Sequence, residues 1–116
     1  MAPDSAIVQR TLEMLVLKSL SLAPMHGWGI AQRIDQLSKG TFQVQQGSLY
    51  PALLRMKRAG WLKTEWRTTE NNRRARYYAL TAAGRRALTS EIKSWGRFAG
   101  AVEKVFAAPV PRAARR

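Results

Sequence analysis

A mainly α-helical domain carrying one small β-hairpin is predicted, on three features of the sequence. Apolar residues recur at helical spacing in successive segments before Gly60. Two short runs rich in Thr, Trp, Tyr and Leu then flank the pair Asn71-Asn72, as strands flank a turn. Beyond them Leu88, Ile92, Trp95, Ala99, Val102 and Phe106 follow at alternating steps of four and three, a heptad seam on one long last helix. At 116 residues the chain fits one domain that can bury a core without metal or disulfide staples.

Residues 1–10 are polar and read as a loose arm. Thr11 is suited to cap the first helix, because its hydroxyl can accept from an early backbone N–H, with Glu13 near the positive helix end. Leu12, Met14, Leu15, Val16, Leu17, Leu20 and Leu22 make that helix apolar nearly all round. It therefore needs cover on more than one face, from its own domain on one side and a helix of a second subunit on the other. Ala23-Pro24 ends it. His26-Gly27-Trp28-Gly29 opens the second helix, with Ile30, Ile34 and Leu37 on its inner face, and Gly40 closes it. Phe42 and Val44 alternate in the connection, as in a brief strand. Gly47 and Ser48 begin the third helix, with Ser48 as N-cap and Pro51 in the first turn, where its missing N–H costs little. Leu49, Leu53 and Met56 face inward, Leu54 lies at the margin, and Gly60 stops the helix. Residues 61–68 and 76–80 are the two strands, joined where asparagine tolerates a left-handed backbone. Thr81-Ala82-Ala83-Gly84 starts the last helix, whose seam Gly96 and Gly100 weaken locally. The Ala/Pro/Arg segment 107–116 cannot form a core and is expected to be disordered.

The formal net charge is +13, from 20 Lys and Arg against 7 Asp and Glu. Such an excess speaks about partners rather than fold, with nucleic acid first and an anionic membrane surface second. Between Arg55 and Arg86 stand ten basic residues and two acids, Glu65 and Glu70. The charge is thus concentrated on the third helix and the hairpin. In that order, those are the parts with which a winged helix-turn-helix sets a helix in a DNA major groove and a hairpin on the adjacent backbone. The domain organisation that follows is an arm over 1–10, a winged helix-turn-helix over 11–80, a dimerisation helix over 81–106 and a basic tail over 107–116.

Other classes fare worse. With no cysteine there is no disulfide framework or thiol switch, and His26 has no second histidine or cysteine as a metal partner, so no metal and no cofactor is expected. Scattered acids, no nucleophile–base pairing and no glycine-rich phosphate loop after a strand argue against an enzyme. No apolar run reaches membrane-spanning length. Asp4 and Gln9 stand where an export signal would be apolar, and a cytoplasmic location is expected.

For the DNA-contact set the third helix offers Gln46, Ser48, Tyr50 and Arg55 as base readers, with Pro51 and Ala52 on the same side and Lys57 as a phosphate neighbour. Ser48 serves equally well as a plain helix cap, and Tyr50 competes with a half-buried core role. In the hairpin Asn72, Arg73, Arg74 and Arg76 are the candidates. Arg74, Arg76 and Tyr78 share one strand face, and three crowded cations repel one another without an anionic partner. Trp61 and Tyr77 read as packing at the hairpin root. Trp66 is the strand aromatic that packing does not claim.

The leucine-rich first helix, His26-Gly27-Trp28-Gly29-Ile30, Gly47-Ser48-Leu49-Tyr50-Pro51-Ala52-Leu53 and Tyr77-Tyr78-Ala79-Leu80-Thr81-Ala82-Ala83-Gly84 together resemble the PadR family of bacterial transcriptional regulators. The match runs over about residues 11–106 in the right order and spacing, and the hairpin 70–76 resembles the acidobacterial-type subgroup. The family usually has Tyr where Trp28 stands and often an acid where Gly29 stands, and this hairpin lacks the Gly-Xaa-Pro turn of many members. The resemblance implies a homodimer that represses transcription from a double-stranded DNA operator, often released by a small molecule. It implies the last helix as the main dimer element, and the seam of Leu88, Ile92, Trp95, Ala99, Val102 and Phe106, joined by Leu12 and Leu15 of the apolar first helix, is the expected interface. In the short subfamily a paired tryptophan on the last helix stacks on flat aromatic drugs, and Lys93-Ser94-Trp95-Gly96 resembles that setting. Trp95 is accordingly the candidate platform for a small aromatic effector, against a reading as interface core.

Two alternatives use the same charge. A non-specific RNA-binding or nucleoid-coating module would not need the helix-plus-hairpin order, and RNA-binding sheets display several stacking aromatics where this hairpin leaves Trp66 alone. A membrane-surface protein would need a basic amphipathic helix, and the apolar seam of the last helix is better explained by self-pairing, so no membrane partner is expected.

Overall fold

The structure, a computed structural model, describes residues 5–112. Its elements in order are α1 (Ser5–Leu22), β1 (Met25–His26), α2 (Gly27–Leu37), α3 (Gln46–Arg58), β2 (Leu62–Thr68), β3 (Arg74–Leu80) and α4 (Ala82–Phe106). The predicted class holds: helices dominate, and the hairpin belongs to a three-stranded antiparallel sheet of order β1-β3-β2. The two residues of β1, paired Met25 with Tyr78 and His26 with Tyr77, are too few to leave a pattern in the sequence.

Helix α1 is the centre of the subunit and packs against α2, α3, α4 and β3. Val16, Leu17 and Leu20 are buried, and Leu12 and Leu15 pack against the core they join. Much of the helix's all-round apolarity is therefore met inside the chain itself. The helix also starts earlier than expected. Nothing from Ser5 to Arg10 breaks it, so part of the predicted arm is helical and Thr11 lies within the helix rather than capping it. Residues 1–4 of that arm, and 113–116 of the tail, lie outside the described residues. At the other end of α1, Arg33 of α2 donates from Nη1 to the carbonyls of Ser19 at 2.7 Å and Ala23 at 2.9 Å, supplying donors that the last turn lacks.

His26 caps α2 with its imidazole, Nδ1 accepting from the Gly29 N–H at 3.0 Å. Ile30 and Ile34 enter the core, but Leu37 is exposed because the helix ends before its side chain meets the interior. The connection holding Phe42 and Val44 forms no strand. Helix α3 begins two residues ahead of Ser48. Its N-cap is Gln45, whose backbone carbonyl accepts from Ser48 and Leu49, and no side chain caps it. Ser48 is thus an exposed residue of the first turn, not the cap, and Pro51 falls in the second turn. The proline removes a backbone donor there, so the Gly47 carbonyl lacks its usual donor four residues on. Ala52 is buried rather than outward, because Leu49, Ala52, Leu53 and Met56 form one stripe at helical spacing.

Strands β2 and β3 pair from Leu62 with Leu80 to Thr68 with Arg74. Asn72 turns between them at φ 58°, the left-handed conformation expected of asparagine. At the strand-to-helix junction Thr81 does two jobs. Its Oγ1 donates to the Gly60 carbonyl at 2.6 Å and accepts from the Gly84 N–H at 3.0 Å, capping α4. A Cβ on Gly84 would overlap the Trp61 carbonyl oxygen, so only glycine lets α4 seat here. Beyond Leu88, helix α4 runs on past the core beside the start of α1, and the described residues extend over 66 × 27 × 23 Å. Most of its apolar side chains then project without cover from their own chain, Phe106 at 82% exposure.

Candidate nucleic-acid interface

Burial of the Leu49, Ala52, Leu53 and Met56 stripe decides what α3 presents outward: Gln46, Ser48, Tyr50, Pro51, Leu54, Lys57 and Arg58 are all exposed. Arg55 is not on that side. It turns to α1, with its Nε 3.8 Å from Glu13 Oε1, and the Gln9 amide oxygen, oriented to satisfy both groups, accepts from its guanidinium at 2.7 Å. Burial pushes the Glu13 carboxyl above its usual range. The Arg55 charge opposes that shift, and the nearby Glu91 of α4 adds to it. Arg55 ties α3 to α1, and the structure does not group it with the base-reading candidates.

Tyr50 unites the two roles weighed for it. Its side chain is 44% exposed, yet its ring rests on the backbone of Gly27, where a Cβ would stand 2.6 Å from Oη. Tyr78 of β3 lies near enough to interact with it electrostatically. Burial raises the pKa of the Tyr78 hydroxyl, Tyr50 adds to the shift, and Arg76 opposes it. Tyr50 is thus seated against α2 while much of it stays exposed.

Strand alternation divides the hairpin into two unlike faces. Leu62, Thr64, Trp66 and Thr68 oppose Leu80, Tyr78, Arg76 and Arg74 on one face. At its root Leu62 and Leu80 are core residues, and past the core the same face carries Trp66 between two guanidinium groups. The carbons of Arg74 and Arg76 each lie 5.4 Å from the indole centroid. No acid stands on this face of the paired strands. On the other face Arg67 is ion-paired to Glu65, its Nε 2.6 Å from Oε1, and lies 5.2 Å over the Tyr77 ring. Tyr77 meets the His26 ring edge-on at 5.4 Å, and Trp61 packs on the core, so both serve as root packing as expected. Asn72 and Arg73 are exposed at the hairpin tip.

One side of the molecule therefore runs from the outward face of α3 through Tyr50, Tyr78, Arg76 and Trp66 to Arg74. The residue that sequence reasoning left unassigned is Trp66. Its signal was the pairing register, which sets it directly across from Arg76.

A second feature lies between α1 and α4. Arg10, Met14, Glu91, Trp95 and Phe98 line a groove of about 230 Å³. Arg10 spans its rim, with Nε 3.2 Å from Glu91 Oε2 and Nη2 3.4 Å from Ser94 Oγ. The Trp95 and Phe98 rings are 5.8 Å apart, and both are about half exposed or more. Phe98, one turn from Trp95, was missed because it falls off the heptad seam. On that seam Leu88 belongs to the subunit's own core, whereas Ile92 and Phe106 are exposed and Ala99 and Val102 half-buried. Among the described residues no cluster of side chains could hold a metal ion, and no helix is long and apolar enough to cross a membrane.

A sequence model of the transcriptional regulator PadR-like family matches residues 16–90. An uncharacterised protein of transposon TN4556 from Streptomyces fradiae is 38% identical over 99 residues, which are 85% of this chain and 26% of that protein. A transcriptional regulator of Mycobacterium tuberculosis, Rv3488, is 37% identical over 70 residues, 60% of this chain and 62% of its own length. The chain thus spans less than two thirds of either relative. Among solved structures, a PadR-like transcription factor from Bacteroides fragilis superposes with a TM-score of 0.71 at 28% identity, covering 87% of this chain and 95% of the other.

Proposed function

The chain belongs to the PadR-like family of transcriptional regulators, and on that premise we propose that it is a homodimeric repressor that reads a double-stranded DNA operator with α3 and grips the adjacent backbone with the hairpin. The observation that carries the proposal is the continuous side from α3 to Arg74, cationic along the hairpin and bearing no acid on the paired strands. Gln46, Ser48, Tyr50 and Pro51 stand at the start of α3, the end that reaches base edges in helix-turn-helix docking. Lys57, Arg73, Arg74 and Arg76 meet phosphates, and Asn72 shapes the turn that carries the arginines. Arg55 takes the positioning role its Glu13 contact gives it.

Dimerisation is assigned to α4. Ile92, Trp95, Ala99, Val102 and Phe106 form the strip that projects from the subunit, and the exposed apolar area of that strip favours a second copy of the same helix. Leu12 and Leu15 of α1, partly buried beside the core, complete the interface. The groove bearing Trp95 is the place for a flat aromatic effector, which would stack on the indole and change the angle between paired α4 helices. Operator half-sites have a fixed spacing, so that change weakens DNA binding. The site of action is the cytoplasm, where the DNA is.

Titration of operator and random duplex at several salt concentrations tests the assignment. Ser48→Ala and Tyr50→Ala are expected to lower the preference for operator. Arg74→Ala is expected to weaken both duplexes alike and to flatten the salt slope by about one, the loss of one phosphate contact. An Arg74→Ala variant with altered base preference and an intact slope would make the hairpin a base reader instead.

A further inference from the structure

Trp66 is 56% exposed near the far end of β2, where the core makes no use of it. An indole left in water on a hairpin needs a reason. Its surroundings supply one: Arg76 lies directly across the ladder and Arg74 on the diagonal, with both guanidinium carbons 5.4 Å from the ring centroid. Both distances fall within cation–π range. Arg74 and Arg76 stand two apart on one strand face, so their charges repel, and free arginines would spread over many rotamers. The negative face of the indole attracts both and limits that spread.

The other face of the hairpin offers a contrast. Arg67 is held there by Glu65 and Tyr77, so its charge is neutralised where it is fixed. Trp66 fixes two cations without neutralising either. Side chains that are ordered before binding lose less freedom on contact with an anionic partner.

We infer that Trp66 is a positioning residue, whose indole holds Arg74 and Arg76 as one preformed pair of cations for the DNA backbone without itself contacting nucleic acid. The inference rests on the DNA-binding reading for the aim of the pair, whereas the pairing itself can be measured without DNA.

The test uses the full chain with Trp66→Leu, Trp66→Phe, Arg74→Gln with Arg76→Gln, and that double change combined with Trp66→Leu. In NMR spectra without DNA, the side-chain protons of Arg74 and Arg76 are expected upfield in the parent through the indole ring current. Those shifts should be lost in Trp66→Leu and partly kept in Trp66→Phe. In duplex titrations Trp66→Leu should weaken binding roughly five- to thirtyfold, the worth of two exposed cation–π contacts, with an unchanged salt slope because both charges remain. Trp66→Phe should recover part of that loss. In the background lacking both arginines, Trp66→Leu should have no further effect. Equal weakening in that background would make Trp66 a direct stacking contact with nucleic acid and overturn the inference, as would absent ring-current shifts in the parent. A parent that shows the shifts but binds no duplex overturns the DNA reading and the aim of the pair, while leaving the pairing established.

Discussion

Replacing Gly27 with alanine probes the hold on Tyr50, and its effect can be worked from the geometry. The new Cβ would stand 2.6 Å from Tyr50 Oη, 2.8 Å from Cζ and 2.9 Å from Cε1. Ordinary carbon contacts are about 3.5–4.0 Å, so the ring must retreat by roughly 1 Å. Alanine gains at most about 1 kcal/mol over glycine within a helix, and less at the first residue of α2. Overpacking costs about 1–3 kcal/mol, toward the low end here because the half-exposed ring can swing outward. A net destabilisation of about 1 kcal/mol follows, visible as a lower denaturant midpoint. The effect on DNA should be larger in kind: with Tyr50 displaced, operator preference should fall by about 1–3 kcal/mol, the scale of one lost base contact. A cycle with Tyr50→Ala isolates the cause. Without the ring, Gly27→Ala should be neutral or stabilising and leave operator preference at the Tyr50→Ala level. Strictly additive effects in the double variant, or an unaltered operator preference in Gly27→Ala, would show that Gly27 does not set the position of Tyr50.

Glu13→Gln should flatten the pH dependence of stability. The folded carboxyl holds its proton above the usual glutamate range, so its favourable contribution is present below the unfolded pKa and lost as pH rises through the folded one. Denaturation between about pH 4 and about pH 7 should show the parent losing stability relative to the variant, and the opposite slope would contradict the burial argument. Trp95→Glu places a carboxylate on the projecting strip of α4, and sedimentation should show the dimer shifted towards monomer. An unchanged dimer would move the interface off that strip. Gly84→Ala drives a methyl group into the Trp61 carbonyl and should cost about 1–3 kcal/mol by forcing α4 off its seat, read as a lower thermal midpoint.

How far the sequence carried depended on the range of the interaction. Residues whose role follows from local periodicity were legible: the Leu49, Leu53 and Met56 stripe, the Asn72 turn, and Arg74 sharing a face with Arg76 and Tyr78. Roles set by a neighbour distant in sequence were not. Arg55 reads as an outward cation until Glu13 of α1 is placed beside it, 3.8 Å away. Tyr50 reads as either core or contact until Gly27 provides its shelf. Leu88 opens a regular seam, yet the core claims it because α4 is still seated on the domain at that point. Ser48 reads as a cap because serine is favoured at that position, but α3 starts earlier at Gln46 without a side-chain cap. Trp66 lay between these cases, since the hairpin register alone would have set it against Arg76.

The central claim is that the α3 and hairpin surface reads a particular duplex. A footprint on the DNA upstream of the chain's own gene, with excess competitor RNA, tests it most directly. A dimer that reads an operator should protect two half-sites about one helical turn apart, one for each α3, and the protection should persist against the RNA. Uniform coating of the duplex without half-sites, or protection erased by RNA at equal concentration, would contradict it and favour a non-specific nucleic-acid-binding protein.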